Sequence, residues 1–196
     1  DAGRSVRRGP TRLRLMCPLP QPLVDEPFDR RVVADRGKSV GDVWRLTPFQ
    51  PWHAPTIARW VRTEQQLRWL APSTHPPLTA EKILGWKKSG GEAFVLVNGG
   101  EGSPLGYGEI NPMRLGGEHV WLGHVIVRPD QRGRGLGSIL LRALLAEAFE
   151  RRNARRVALI VFPENLAALR CYRRVGFSLS GEEIHQFDGA GPTHRL

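Results

Sequence analysis

Cysteine is nearly absent from this chain: its 196 residues include two, Cys17 and Cys171. Two isolated thiols exclude a disulfide framework, and they stand at no spacing that ligates a metal. Long apolar runs are missing as well. No stretch approaches the ~20 residues needed to span a bilayer as a helix. Leu13-Arg14-Leu15-Met16-Cys17 is too short and too interrupted to be the apolar region of a signal peptide. A reducing cytoplasm is the expectation, with no metal and no membrane partner. Lysine is also scarce, 4 residues against 25 arginines, so the net charge of +10 is almost wholly guanidinium. These arginines are spread along the chain, and many fall on helix faces. No helix-turn-helix, zinc or RNA-binding signature accompanies them, so charge alone does not point to a nucleic-acid partner.

The length suits one domain with a sizeable core and some additional chain. Residues 1–40 carry Arg, Pro, Gly and Asp without a sustained apolar period, and Pro18-Leu19-Pro20-Gln21-Pro22 makes neither helix nor central strand. The expectation is a disordered basic tail over 1–40 and a folded domain over 41–196. The first residue is Asp rather than Met, which leaves open whether residues 1–40 belong to the native protein.

From Val43 the pattern becomes that of a folded domain. Val43 to Phe49 reads as a strand, Trp52 to Arg62 and Glu64 to Leu70 as helices. Thr79 caps another short helix that runs to Trp86. Ala93 to Val97 and Leu105 to Ile110 are strands joined across Asn98-Gly99-Gly100. His119 to Val127 is apolar on both faces, as a buried central strand requires. Leu136 to Arg152 presents two rows at fourfold spacing, Leu136, Leu140, Leu144 and Ala148 beside Leu141, Leu145 and Phe149, which make a wide buried stripe. Arg156 to Phe162 is a strand, Glu164 to Val175 a helix stopped by Gly176, and Phe177 to Phe187 a last strand with Thr193 to Leu196 as a short partner. Strands first and β-α-β-α-β afterwards predict an α/β fold with a mixed sheet.

Gln131-Arg132-Gly133-Arg134-Gly135-Leu136-Gly137 lies between the central strand and the apolar helix. A strand that passes through a glycine-rich turn into a helix exposes backbone N–H groups at the positive end of the helix dipole, which binds phosphate. The glycines admit an anion close to the backbone, and Arg132 and Arg134 add positive charge. No Lys follows the glycines as a P-loop needs. Their spacing is Gly-x-Gly-x-Gly rather than the Gly-x-Gly-x-x-Gly of dinucleotide folds. Arg-x-x-Gly-x-Gly at Arg132, Gly135 and Gly137, preceded by Val127-Arg128-Pro129, resembles the coenzyme A pyrophosphate loop of the GNAT superfamily of N-acetyltransferases. Asn165-x-x-Ala168-x-x-x-Tyr172-x-x-x-Gly176-Phe177 is similar to that superfamily's second signature. The resemblance covers roughly Val43 to Phe187. Ala58-Arg59-Trp60-Val61 and Leu67-Arg68-Trp69-Leu70 further resemble the branch containing ribosomal-protein and aminoglycoside acetyltransferases.

The resemblance implies the GNAT fold, with a splayed pair of central strands, and acetyl-CoA as co-substrate. It implies that the pyrophosphate rests on the amides of Arg132, Gly133, Arg134, Gly135, Leu136 and Gly137. The pantetheine arm would pair with Val125, Ile126 and Val127, and Asn165 would contact the pantetheine or cap its helix. The implied activity is direct acetyl transfer to a primary amine, on a small molecule or a protein N-terminus. A non-catalytic acyl-CoA-binding regulator is the alternative.

The chemistry needs a proton acceptor, since at pH 7 only about one lysine-like amine in a thousand is neutral. It also needs a donor toward the oxyanion and an acid toward the leaving thiolate. Tyr172, two turns beyond Asn165, is the expected acid. Glu109 is the expected base, with water as the alternative: alternation sets Leu105, Tyr107 and Glu109 on one strand face, where apolar neighbours raise a carboxyl's pKa. Glu118, in Gly116-Gly117-Glu118, reads as a solvated turn. His119 reads as surface. His124 alternates with Leu122 and Ile126 and faces the acetyl site or the core. Cys171 reads as a small buried filler, and Trp52, Trp60, Trp69 and Trp86 as packing of the N-terminal helices or, since the resemblance implies that this region closes over the acceptor, as lining of its pocket.

Overall fold

A computed structural model describes residues 11–18, 44–86, 90–99, 102–113 and 118–184. The alternating apolar segments become one sheet of seven strands among the described residues. These are β1 (Thr11–Pro18), β2 (Trp44–Pro48), β3 (Glu92–Asn98), β4 (Gly106–Pro112), β5 (His119–Val127), β6 (Arg156–Val161) and β7 (Ser178–Ile184). Their order across the sheet is β2-β3-β4-β5-β6-β1-β7. β2 to β5 form an antiparallel meander, and β5 pairs with β6 in parallel.

Helices cover the two faces unequally. On β3, Phe94 and Leu96 join the core packed by α4 (Leu136–Ala146) and α5 (Leu166–Arg174), while Val95 and Val97 join the core packed by α1 (Ala54–Ala58), α2 (Glu64–Leu70) and α3 (Ala80–Leu84). Successive residues of a strand face opposite sides, so the helix groups lie on opposite faces of the sheet. α4 approaches β4 closely: a Cβ at Gly108 would sit 2.7 Å from Leu144 Cδ1, a separation that real side chains do not reach. A side chain there would make the Leu144 methyl give way.

Local signals in the sequence set several boundaries. Thr63 and Thr79 cap α2 and α3 by accepting from the N–H of Gln66 and Lys82, which satisfies donors that a helix start leaves free. Gly176, at φ 103, follows the end of α5. The expected Trp52 to Arg62 helix is shorter, a 3-10 turn over Pro51–His53 followed by α1. The long helix ends its α-helical bonding at Ala146 and closes with a π-helical turn over Glu147–Arg151. No helix among the described residues is long and apolar enough to cross a membrane.

The expected tail over 1–40 is corrected at Thr11–Pro18. This segment is β1, an interior strand antiparallel to β6 on one side and to β7 on the other. Leu15 is 1% exposed within the α4–α5 core, a burial that stabilises by roughly 1.5–3 kcal/mol. The remaining tail residues, 1–10 and 19–40, and the expected Thr193 to Leu196 partner strand lie outside the described residues.

Candidate active site

Two strands part at the centre of the sheet. β5 and β6 pair only at His119↔Arg156, Val120↔Val157 and Trp121↔Ala158. From Leu122 to Val127, β5 runs on without β6 beside it, so a cleft opens along its free edge. The glycine turn sits at the end of β5. Gly133 and Gly135 have φ of 76 and 83, and Gly135 is the N-cap of α4. The N–H groups of Gly133, Gly135, Leu136 and Gly137 donate to no acceptor among the described residues. Unbonded donors at the start of an 11-residue helix suit a phosphate group.

Arg132 also bonds to backbone carbonyls outside the turn. Its Nε donates to the Val127 carbonyl at 3.0 Å and its Nη2 to the Trp60 carbonyl at 3.2 Å. The guanidinium therefore ties the end of α1 and the end of β5 to the turn. It still carries its charge beside the exposed amides, but one carbonyl of the expected pantetheine edge is already engaged.

α5 borders the same turn. A Cβ at Gly137 would meet Cys171 Sγ at 3.1 Å, and Cys171 Sγ lies 3.6 Å from Ser138 Oγ. Tyr172, next to Cys171, packs its ring against Phe177 at 6.0 Å between centroids. Burial, and then the neighbouring Cys171, push its phenol well above the usual range, so it keeps its proton at neutral pH. Asn165 spends its side-chain oxygen on the cap of α5, accepting from the N–H of Ala168 at 3.2 Å.

Glu109 is 2% exposed and surrounded by donors. Its Oε1 accepts from the Tyr107 hydroxyl at 2.6 Å, and its Oε2 accepts from Asn111 Nδ2 at 3.3 Å. His124 Nδ1 lies 3.0 Å from Oε2. Burial pushes the carboxyl up, but the contacts with His124, Tyr107 and Asn111 outweigh it and hold Glu109 below its ordinary range. This reverses the raised pKa that the apolar neighbours suggested. Burial and the Glu109 charge push the Tyr107 phenol far up, so it remains a donor. Leu105 does not share this face, since it packs into the α4–α5 core while Tyr107 packs with α1–α3.

The lowered value has a consequence for stability. A carboxyl with a folded pKa below its unfolded one contributes stability above the unfolded value, about 4.3 for Glu, and loses it as pH falls through the folded value. Glu109→Gln should therefore lower the melting temperature at pH 6, and the gap to wild type should narrow on acidification to pH 3. A gap that stays constant over that range rules out an ionised Glu109 as a stabilising group.

His124 reaches this cluster through a break in the strand. Tyr107 pairs with Ile126 and Glu109 with Gly123, so two residues of β5 stand opposite Gly108. That is a β-bulge, which re-aims side chains. His124 sits at it with φ 47, a left-handed conformation uncommon for a non-glycine residue. Leu122 and Ile126 consequently pack into different cores, and simple alternation fails here. The imidazole stacks on the Trp86 indole at 4.1 Å and 12°. Glu118 is exposed and pairs with Arg155 at 3.3 Å. His119 is partly buried at the strand start. Trp60 and Trp86 are buried, while Trp52 is largely exposed. Among the described residues no group of three or more His, Cys, Asp and Glu is arranged to hold a metal ion.

Comparison with known proteins adds to this geometry. The sequence profile of the Acetyltransferase (GNAT) family matches residues 55–177. The chain is 36% identical over 63 residues to the probable spermine N(1)-acetyltransferase of Bacillus subtilis subsp. natto, covering 32% of this chain and 41% of that one. It is 29% identical over 90 residues to the aminoglycoside N(6')-acetyltransferase type 1 of Klebsiella pneumoniae, covering 41% of this chain and 45% of that one. It thus spans less than half the length of these curated relatives. The solved spermidine N-acetyltransferase from Vibrio cholerae, in complex with CoA and spermine, has a TM-score of 0.59 at 17% identity, over 70% of this chain and 82% of that chain. That likeness is one of fold.

Proposed function

This chain belongs to the GNAT acetyltransferase family, and from that premise we propose that it transfers the acetyl group of acetyl-CoA directly to a primary amine. The observation that carries this is the unbonded N–H groups of Gly133, Gly135, Leu136 and Gly137 standing at the mouth of the cleft between β5 and β6. Acetyl-CoA supplies an activated thioester, and the chain's residues hold and orient it. Gly133, Arg134, Gly135, Leu136 and Gly137 present the amides for the pyrophosphate, with Arg132 beside them as a cation. The free edge of β5 at Val125, Ile126 and Val127 offers backbone groups to the pantetheine, and the amide nitrogen of Asn165 is within the same family signature. A bulge leaves an N–H without its ladder partner, and at His124–Val125 such a donor suits a developing oxyanion.

Tyr172 supplies the proton for the departing sulfur. Its phenol carries the proton at neutral pH, as an unperturbed one also would, and α5 holds it next to the turn. Because a thiol is a far better leaving group than an alcohol, the acid contributes less than the usual 10²–10⁴-fold. Tyr172→Phe should lower kcat about tenfold while the affinity for acetyl-CoA stays within twofold. Equal losses in kcat and affinity would remove Tyr172 from this role.

The acceptor is an amine on a small molecule or at a protein N-terminus. Calorimetry with acetyl-CoA, followed by thiol release with spermidine, spermine, an aminoglycoside and an alanine-terminated peptide, tests the reading. Saturable binding with amine-dependent release is expected. Binding without release for every amine leaves the alternative of a non-catalytic acyl-CoA-binding regulator.

A further inference from the structure

The geometry points to His124 as the group that takes the acceptor's proton, with Glu109 as the residue that positions it. This inference rests on the acetyl transfer proposed above and names the base for it. Glu109 itself is poorly placed to meet a substrate. It is 2% exposed, and both carboxylate oxygens are occupied by Tyr107, Asn111 and His124. His124 stands between that carboxylate and the outside. Its Nδ1 is fully shielded, whereas the side chain as a whole is 15% exposed, so the exposed part lies away from Nδ1. Nδ1 lies 3.0 Å from Glu109 Oε2 without hydrogen-bond geometry; a proton on Nδ1 leaves the lone pair on Nε2, the tautomer that a neutral imidazole base requires.

Three further features hold the ring in this pose. The bulge turns residue 124 toward the α1–α3 face. The left-handed φ of 47 is a conformation that persists only where the surroundings impose it, and such sites cluster at functional positions. Trp86 fixes the ring plane by stacking. The titratable members of the cluster are Glu109 and Tyr107 on β4 and His124 on β5. From α2, which packs on β5, Arg68 directs its guanidinium over the Phe162 ring at 5.3 Å.

The acceptor ammonium gives one proton to Nε2, and its freed lone pair attacks the thioester carbonyl. The C–N bond forms and the C–S bond breaks. The Tyr172 proton goes to the sulfur, and the second proton of the attacking nitrogen returns to the Tyr172 oxygen, directly or through water. The imidazolium passes its proton to solvent, and acetylated amine and CoA thiol leave.

His124→Asn is the informative variant, because asparagine tolerates a left-handed φ better than other residues and has no titrating nitrogen. With an amine that the wild type acetylates, it should lower kcat/KM about a hundredfold and abolish the acidic limb of the pH profile. Acetyl-CoA affinity should stay within twofold. Glu109→Gln should lower kcat/KM less, since it loosens the imidazole without removing Nε2. Independently of any acceptor, ¹⁵N-histidine NMR of the CoA-free protein should show the Nδ1–H tautomer for His124, lost in Glu109→Gln. A retained limb in a folded His124→Asn variant, or an Nε2–H tautomer in wild type, overturns the assignment. If the wild type binds acetyl-CoA but acetylates no amine, the transfer reading fails while the NMR result still decides the dyad.

Discussion

A chain lacking residues 1–18 is expected to lose its cooperative thermal transition. β1 is an interior strand: Leu13 to Pro18 pair with β6, and Thr11 to Met16 pair with β7. Its removal exposes the backbone edge of β6 and leaves β7 with no strand to pair with. It also takes Leu15 and Cys17 out of the core that α4 and α5 cover. Lost side-chain burial of roughly 1.5–3 kcal/mol for Leu15 alone, added to a row of unpaired backbone groups, is a large part of a domain's usual 5–15 kcal/mol. Differential scanning calorimetry checks this, and a synthetic Thr11–Pro18 peptide added in trans should restore part of the transition. If the truncated chain melts within a few degrees of the full one, β1 does not belong to the folded core.

Why this strand is hard to read from sequence is physically plain. Leu13 and Leu15 do alternate with Arg12 and Arg14, the period of a half-buried strand, but Met16 breaks the alternation and Arg12 is itself buried. The signal is short, however, and lies among prolines and arginines. Its partners are residues 156–161 and 178–184, which no local pattern can name. Where the signal is local, the reading succeeds. β5, α2 and the strand over 156–161 appear within a residue of their expected bounds, because period and capping residues are written into the segments themselves. The glycine turn is legible for the same reason, since its spacing encodes a backbone conformation.

The proton-handling cluster is only half legible. Period two correctly puts Tyr107 and Glu109 on one face, and their 2.6 Å hydrogen bond follows from that. The same rule misplaces His124, because a bulge opposite Gly108 shifts the phase of β5 by one residue. The carboxyl's environment was equally out of reach: apolar sequence neighbours suggest a raised pKa, whereas the groups that set it, His124 and Asn111 among them, arrive through folding. Arg132 shows a third kind of limit. Its charge is evident from the motif, but its two carbonyl partners, Val127 and Trp60, are separated by most of the N-terminal half of the domain.

Gly135→Val should weaken binding of coenzyme A at least tenfold, about 1.4 kcal/mol or more. Gly135 is the N-cap of α4 at φ 83, where an ordinary L-residue costs about 1–2 kcal/mol and a β-branched one is a genuine outlier. The turn relieves that strain by rotating, and the N–H groups of Leu136 and Gly137 then no longer converge on one point. An added side chain beside them also keeps a phosphate from approaching the backbone. Strain and lost convergence must be separated, since strain alone lowers stability without touching affinity. Gly99→Val supplies the control: Gly99 has φ 72 and open space around it, in the turn after β3. Both variants should lose melting temperature, but only Gly135→Val should lose affinity in calorimetry with coenzyme A. Unchanged affinity in a folded Gly135→Val protein would mean that the amides of this turn do not bind the pyrophosphate, and the cleft between β5 and β6 would have lost its anchoring point.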